Sequence, residues 1–210
     1  MSELFSIQLQ NRQQQGGDGV WLDLPTTTEQ VQAALRQIGI SSDNPQGLFI
    51  SGYFAEEEKR FAIPYNMVLA SNVDELNFLA SRLETLSTGE RAELNAALQA
   101  PQSELFSIGR ITDFPENVDY YVHLPDVHGP AQLGDYYLNR SGMVDMPEEW
   151  KGGIDTAQFG RYVAQQERGV FTEYGYLVKS GDAWQKVHEG QPVPEEYRVL
   201  SFPAPEVLRD

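Results

Sequence analysis

Three stretches carry side chains of the types that catalysis or metal binding uses. His123 and His128 flank Asp126, a set that could ligate a metal. Pro125 and Gly129-Pro130 bracket them, so the three are expected in a turn and not along one helix face. The chain has no cysteine, so a four-ligand structural zinc site has no thiolate to draw on. Gly16-Gly17-Asp18-Gly19 is Gly-rich, but Asp18 would repel a phosphate and no lysine follows, which favours a hairpin turn. Neighbouring acids such as Glu148-Glu149 have the chemistry of an acid/base pair. Acids are so frequent here that none stands out as a dyad. Neither a G-x-S-x-G elbow nor a G-x-x-x-x-G-K-[ST] loop is present. His188 stands alone and reads as a surface residue. The expectation is a non-enzyme, with no catalytic, cofactor-binding or metal-binding residue.

What remains to be explained is the surplus of carboxylates. There are 31 Asp+Glu against 15 Lys+Arg, a formal net charge of −16 over 210 residues. The surplus is spread along the chain, −7 over residues 1–112 and −9 over residues 113–210. Such a field repels nucleic acid and anionic membrane and attracts proteins with basic grooves. The sparse, scattered bases argue against a nucleic-acid-binding face. Hydrophobic residues make up 40% and aromatics 11%, enough to build cores and too much for a disordered acidic tail. The N-terminus lacks a basic stretch followed by an apolar one, and no apolar run approaches the ~18 residues of a membrane span. With no cysteine to protect, the expectation is a soluble cytoplasmic protein.

The elements that must present these charges follow an internal echo. Ser2-Glu3-Leu4-Phe5-Ser6-Ile7 recurs as Ser103-Glu104-Leu105-Phe106-Ser107-Ile108, and Trp21-Leu22-Asp23-Leu24-Pro25 is echoed by Tyr121-Val122-His123-Leu124-Pro125. A helix signal follows each Leu-Pro. The echo predicts two related α+β units around a helical insert. The N-terminal unit spans 1–64. Leu4–Leu9 alternates as a half-buried strand, Val20–Leu24 is its return strand, and Gly47–Phe54 is a third. Between them Thr26 caps a helix with Glu29 closing a capping box, Val31, Ala34, Leu35 and Ile38 form its stripe, and Gly39 ends it.

The insert, 65–102, is a helical domain with capping boxes at Asn72/Glu75 and Ser87/Glu90. The second unit, 103–180, is predicted to open with a strand at 103–110. A strand near Tyr120–Leu124, a helix at 131–140, a helix capped by Asp155 and a hairpin or edge strand over Gly169–Val178 follow. Residues 181–210 form a proline-rich extension with one strand expected at Tyr197–Phe202.

Read in order, several stretches resemble the ArdA antirestriction family over about residues 4–178. They are Trp21-Leu22-Asp23-Leu24-Pro25, Glu75–Ala80, Leu133-Gly134-Asp135-Tyr136-Tyr137, Asp155-Thr156-Ala157-Gln158-Phe159-Gly160-Arg161 and Phe171–Tyr176. The resemblance implies an elongated three-domain homodimer joined end to end. It also implies a DNA mimic that fills the DNA-binding groove of type I restriction-modification enzymes, as mobile genetic elements use. It brings no catalytic residues and no cofactor. The segment after 180 extends beyond the pattern.

Duplex DNA carries one charge per ~1.7 Å, so the net charge matches about 27 Å of duplex and the full set of carboxylates about 53 Å. The acids expected to form a mimic surface are Glu56, Glu57, Glu58, Asp74, Glu84, Glu93, Glu116, Asp119, Asp126, Asp135, Asp145, Glu148 and Glu149. Asp155 and Glu90 are expected to serve mainly as helix caps. Leu133, Gly134, Tyr137, Phe159, Gly160 and Arg161 are expected in a core, with a dimer contact as the family's suggestion. The competing expectation is an acidic α+β interaction module with no link to restriction, whose charge serves solubility.

Overall fold

The computed structural model describes residues 4–14, 17–56, 60–101 and 103–205. The chain is α+β, with two small antiparallel three-stranded sheets and helices packed on them. Contacts group it into two units that are both discontinuous in sequence. Unit 1 takes 1–86, 106–115 and 186–210, and unit 2 takes 87–105 and 116–185. The helical stretch 65–102 is therefore shared between them.

In unit 1 the strand order is β2 (Val20–Leu24), β1 (Phe5–Asn11), β3 (Leu48–Phe54). Period-two alternation sends Phe5, Ile7 and Leu9 into the core, where all three are buried. β1 pairs antiparallel with both neighbours, and a bulge on the β3 side interrupts the register at Gln8/Leu9. Helix α1 (Thr28–Gln37) lays Val31, Ala34 and Leu35 on this sheet.

The α1 cap lies one residue later than the sequence suggests. Thr27, not Thr26, accepts the Gln30 amide, and Gln30 rather than Glu29 reaches back to the Thr27 amide. Thr26 is diverted because its own amide donates to Asn77 Oδ1 at 2.7 Å in the buried interior. Helix α2 (Tyr65–Leu69) is short. Helix α3 (Val73–Leu83) begins at the expected Asn72/Glu75 box and buries Leu76, Leu79, Ala80 and Leu83.

Two expected strands are absent. The stretch expected as a strand at 103–110 instead ends in helix α5 (Ile108–Thr112), with Ser107 Oγ accepting the Arg110 amide as its N-cap. Residues 197–202 also form no strand. A single 3-10 turn, Glu195–Tyr197, precedes an extended strap. The strap's backbone groups are taken mainly by side chains, with the Ser42 amide donating to the Pro203 carbonyl at 2.9 Å. Val199 and Leu200 both donate to Asp74 Oδ1 at 2.7 Å, and Asn77 Nδ2 donates to the Tyr197 carbonyl at 3.0 Å. Upstream, fully buried Asp113 accepts the amides of Val187, His188 and Glu189. Charge-assisted bonds of this kind anchor a segment that has no sheet to join.

Unit 2 begins with helix α4 (Thr88–Gln99), capped by the expected Ser87/Glu90 box. Its sheet has the order β4 (Tyr121–Leu124), β6 (Gly175–Lys179), β5 (Val170–Thr172), all antiparallel, and the β5–β6 hairpin falls where expected. Helix α6 (Pro130–Asp135) starts with proline in its first turn and continues as a π-helical turn, Tyr136–Arg140. A short helix α7 (Glu148–Lys151) precedes α8 (Thr156–Glu167). Asp155 Oδ1 caps α8 by accepting the amides of Ala157 and Gln158. Val127, Leu133 and Tyr176 form the buried centre, with Tyr137, Val163 and Phe171 packed around them.

Candidate functional site

Most of the surface carboxylates sit in loops and first helical turns, where the backbone leaves a side chain free to enter solvent. In unit 1 Glu56 is exposed just beyond β3, while Glu57 and Glu58 lie outside the described residues. Asp74 and Glu84 are half-buried, and Asp74 is engaged in holding the strap.

In unit 2 Asp119, Asp126, Asp145, Glu148 and Glu149 are exposed, while Glu93, Glu116 and Asp135 are half-buried. Two of the expected mimic acids of that unit are partly neutralised. Glu148 takes Lys151 Nζ at 2.6 Å, and Asp135 lies 3.4 Å from Arg140 Nε. Such exposed pairs add little stability, but each removes a unit of negative charge from the local field.

Glu93 differs from the rest in kind. Its Oε1 is shielded from solvent and has no hydrogen-bond partner among the described residues. Burial, with the nearby charges of Glu90 and Asp119, pushes its carboxyl up to about 8. At neutral pH this side chain is protonated and adds nothing to the negative surface. Glu90 is shifted the other way, its carboxyl held low by the Ser87 side chain and amide that it caps.

The residues of the two motif stretches come together in unit 2. Leu133 and Gly134 are buried on α6, Gly160 is buried on α8, Tyr137 and Phe159 are half-buried, and Arg161 is exposed. The two helices touch backbone to backbone. A Cβ on Gly134 would lie 1.9 Å from the Thr156 carbonyl oxygen, and one on Gly160 would lie 1.8 Å from that of Pro130. Only glycine permits this approach. Beside the crossing, Glu167 accepts hydrogen bonds from both Tyr137 and Tyr176, and burial followed by that carboxylate pushes both phenols up. Leu133, Gly134, Tyr137 and Gly160 build the interior of the unit, whereas Arg161, expected in a core, is exposed. At its surface Met143, Trp150 and Tyr162 are 74%, 66% and 60% exposed.

Of the groups first considered for chemistry, His123 and Glu148 are engaged. The His123 Nε2 lies 2.7 Å from the Tyr174 carbonyl oxygen. Unit 1 holds a recess of about 610 Å³ lined by Met67, Phe78, Ile108, Val193 and three titratable groups. Glu75 there accepts the Asn72 amide, His188 packs edge-on against Phe78 at 4.9 Å, and Glu189 is paired with Arg110 and Lys186. All three have structural work. Exposed acids that sequence reasoning passed over include Asp18, Asp23, Asp43, Glu173, Glu195 and Glu196. Their signal was their position next to turn residues. Among the described residues no helix is long and apolar enough to cross a membrane.

A family model described as antirestriction protein (ArdA) matches residues 17–178, well over half of the chain. No curated protein matches it.

Proposed function

The chain belongs to the ArdA antirestriction family, a family of non-enzymatic inhibitors that target type I restriction enzymes, and we propose that it acts by imitating DNA. In this reading its exposed carboxylates take the place of backbone phosphates in the enzyme's DNA-binding groove. The observation that carries the reading is the coincidence of family membership with a surplus of acids over bases. The sequence holds about twice as many acids as bases, and several bases are already spent on Glu104, Asp135, Glu148 and Glu189. A cationic groove that releases counterions from DNA gains the same release from a rigid display of carboxylates. The mimic surface we propose comprises Glu56, Glu84, Glu116, Asp119, Asp126, Asp135, Asp145, Glu148 and Glu149, with Glu57 and Glu58 added on sequence alone, while Asp74 is committed to the strap. Glu93 drops out below pH 8.

The proposal includes a homodimer. The exposed Met143, Trp150 and Tyr162 of unit 2 supply the apolar side chains that a second copy would cover. Light scattering across a dilution series tests it, with a single monomeric mass at micromolar concentration as the contrary result.

The mimic itself is tested by competition. Purified protein is added to a type I restriction-modification enzyme holding labelled duplex, at two salt concentrations. Displacement at near-stoichiometric protein, weakened by salt, is expected. Failure to displace duplex from several such enzymes would sink the reading and favour a plain acidic interaction module.

A further inference from the structure

The outer face of the unit 1 sheet carries an aromatic surface that charge mimicry alone does not use. Strand pairing sets Gln8 opposite Trp21 and Gly52, and Ser6 opposite Asp23 and Phe54. Trp21, Asp23, Gly52 and Phe54 therefore share the face opposite to Phe5, Ile7 and Leu9. Gly52 leaves that face bare, and a Cβ there would lie 3.0 Å from Trp21 Cη2. The indole thus reaches across β1 toward β3 and meets Phe54 edge-on, with ring centroids 6.4 Å apart. Both rings stay open to solvent, at 50% and 56% exposure. Phe54 also shares the rim of a recess with Tyr65, whose hydroxyl donates to the Ser51 carbonyl. One exposed ring is ordinary, whereas adjoining rings on a single face mark a contact surface.

Two acids belong to or adjoin this face. Asp23 is exposed and accepts the Ser6 hydroxyl at 2.9 Å. Asp18 is exposed, and its backbone carbonyl accepts the side-chain amide of Gln8, the residue paired with Trp21, at 2.8 Å. The same face already holds one arginine–aromatic contact. The Arg12 guanidinium sits 5.2 Å from the Phe49 ring, and Phe49 pairs with Gln10 on this face.

We propose that this face receives arginine side chains from the partner's basic DNA-binding groove, stacking on Trp21 and Phe54 and pairing with Asp18 and Asp23. This rests on the mimic reading. Arginine is the occupant the chemistry selects. Its guanidinium is planar and weakly hydrated, so it can stack on a ring and still bind a carboxylate, which the compact lysine ammonium does less well. Nucleic acid would also stack on such rings, but a chain of net charge −16 repels it. The stacking part of the contact persists at salt concentrations that screen the carboxylates.

The test runs Trp21→Ala/Phe54→Ala and Asp18→Asn/Asp23→Asn double variants in the duplex-displacement assay at two salt concentrations. The aromatic variant is expected to need about tenfold more protein for half-displacement, with an unchanged salt slope and an unchanged melting temperature. Trp21→Phe should restore part of the loss. The Asn variant should instead flatten the salt slope. If the wild-type protein displaces duplex and the aromatic variant does so within twofold, the proposal is overturned while the mimic reading stands. If the wild-type protein displaces nothing, both fall together.

Discussion

At the scale of single residues, the same carboxyl group does three different jobs. Asp113 is fully buried, and hydrogen bonds it accepts from three amides hold residues 187–189, upstream of the strap. Asp113→Ala should cost about 3 kcal/mol by removing charge-assisted bonds and leaving amides unpaired. Chemical denaturation would measure it, and hydrogen exchange should show residues 186–203 losing protection before β1. Asp155 accepts the first amides of α8, and the Glu90 carboxylate accepts the Ser87 amide at the start of α4, groups that would otherwise be left unpaired.

Glu93 is a protonated carboxylic acid on the half-buried side of α4. Its folded carboxyl titrates near 8 against 4.5 for an ordinary glutamate. Between those values the folded state holds a proton that the unfolded state has lost. Stability therefore falls as pH rises from about 4.5 to about 8, and levels off above. Glu93→Gln should flatten that slope and raise the melting temperature at pH 8. Parallel pH–stability curves for the two proteins would remove the assignment.

At the scale of elements, one hexapeptide takes two structures. In the first copy Ser6 and Ile7 lie in β1, with the Ser6 hydroxyl on Asp23. In the second copy Ser107 becomes the N-cap of α5, and Ile108 its first residue. The following residues decide. Gln8-Leu9-Gln10 continues an alternation that a neighbouring strand can bury, whereas Gly109-Arg110-Ile111 breaks it and Ser107 captures the Arg110 amide. Local identity is outweighed by the pairing partner available.

The α6–α8 crossing shows the opposite case, in which one residue type is enforced by an element pair. Gly160→Ala or Gly134→Ala would push a methyl group into backbone that cannot yield, costing about 3 kcal/mol or more. Thermal melting is the measurement. A loss below 1 kcal/mol would mean that the helices separate easily.

At the scale of the whole molecule, function is expected to behave as a sum. Screened charges contribute singly and weakly, so Glu148→Gln or Asp126→Asn alone should change displacement of duplex less than threefold. Combining Asp119, Asp126, Asp145 and Glu149 changes to the amides should weaken it by an order of magnitude or more and reduce its salt dependence by a comparable number of charges. A single neutralisation that abolishes activity in a folded protein would contradict the summed picture.

Family, charge excess and most helix starts were legible in the sequence because each depends on local information. Capping boxes at Asn72 and Ser87, the Asp155 cap, the hairpin at 170–179 and the stripe of α3 all follow from spacing of a few residues. Tertiary structure alone decided where the 197–202 segment goes, because its backbone partners lie far away in the chain. Asp74 lies 125 residues from the amide of Val199, and only folding brings them together. It alone divided the helical stretch between two units. It also sorted the carboxylates, since composition counts every acid alike while burial protonates Glu93 and local geometry pairs Asp135 with Arg140. Charge is written in residue types, but its sign at a given point on the surface depends on what folding places beside it.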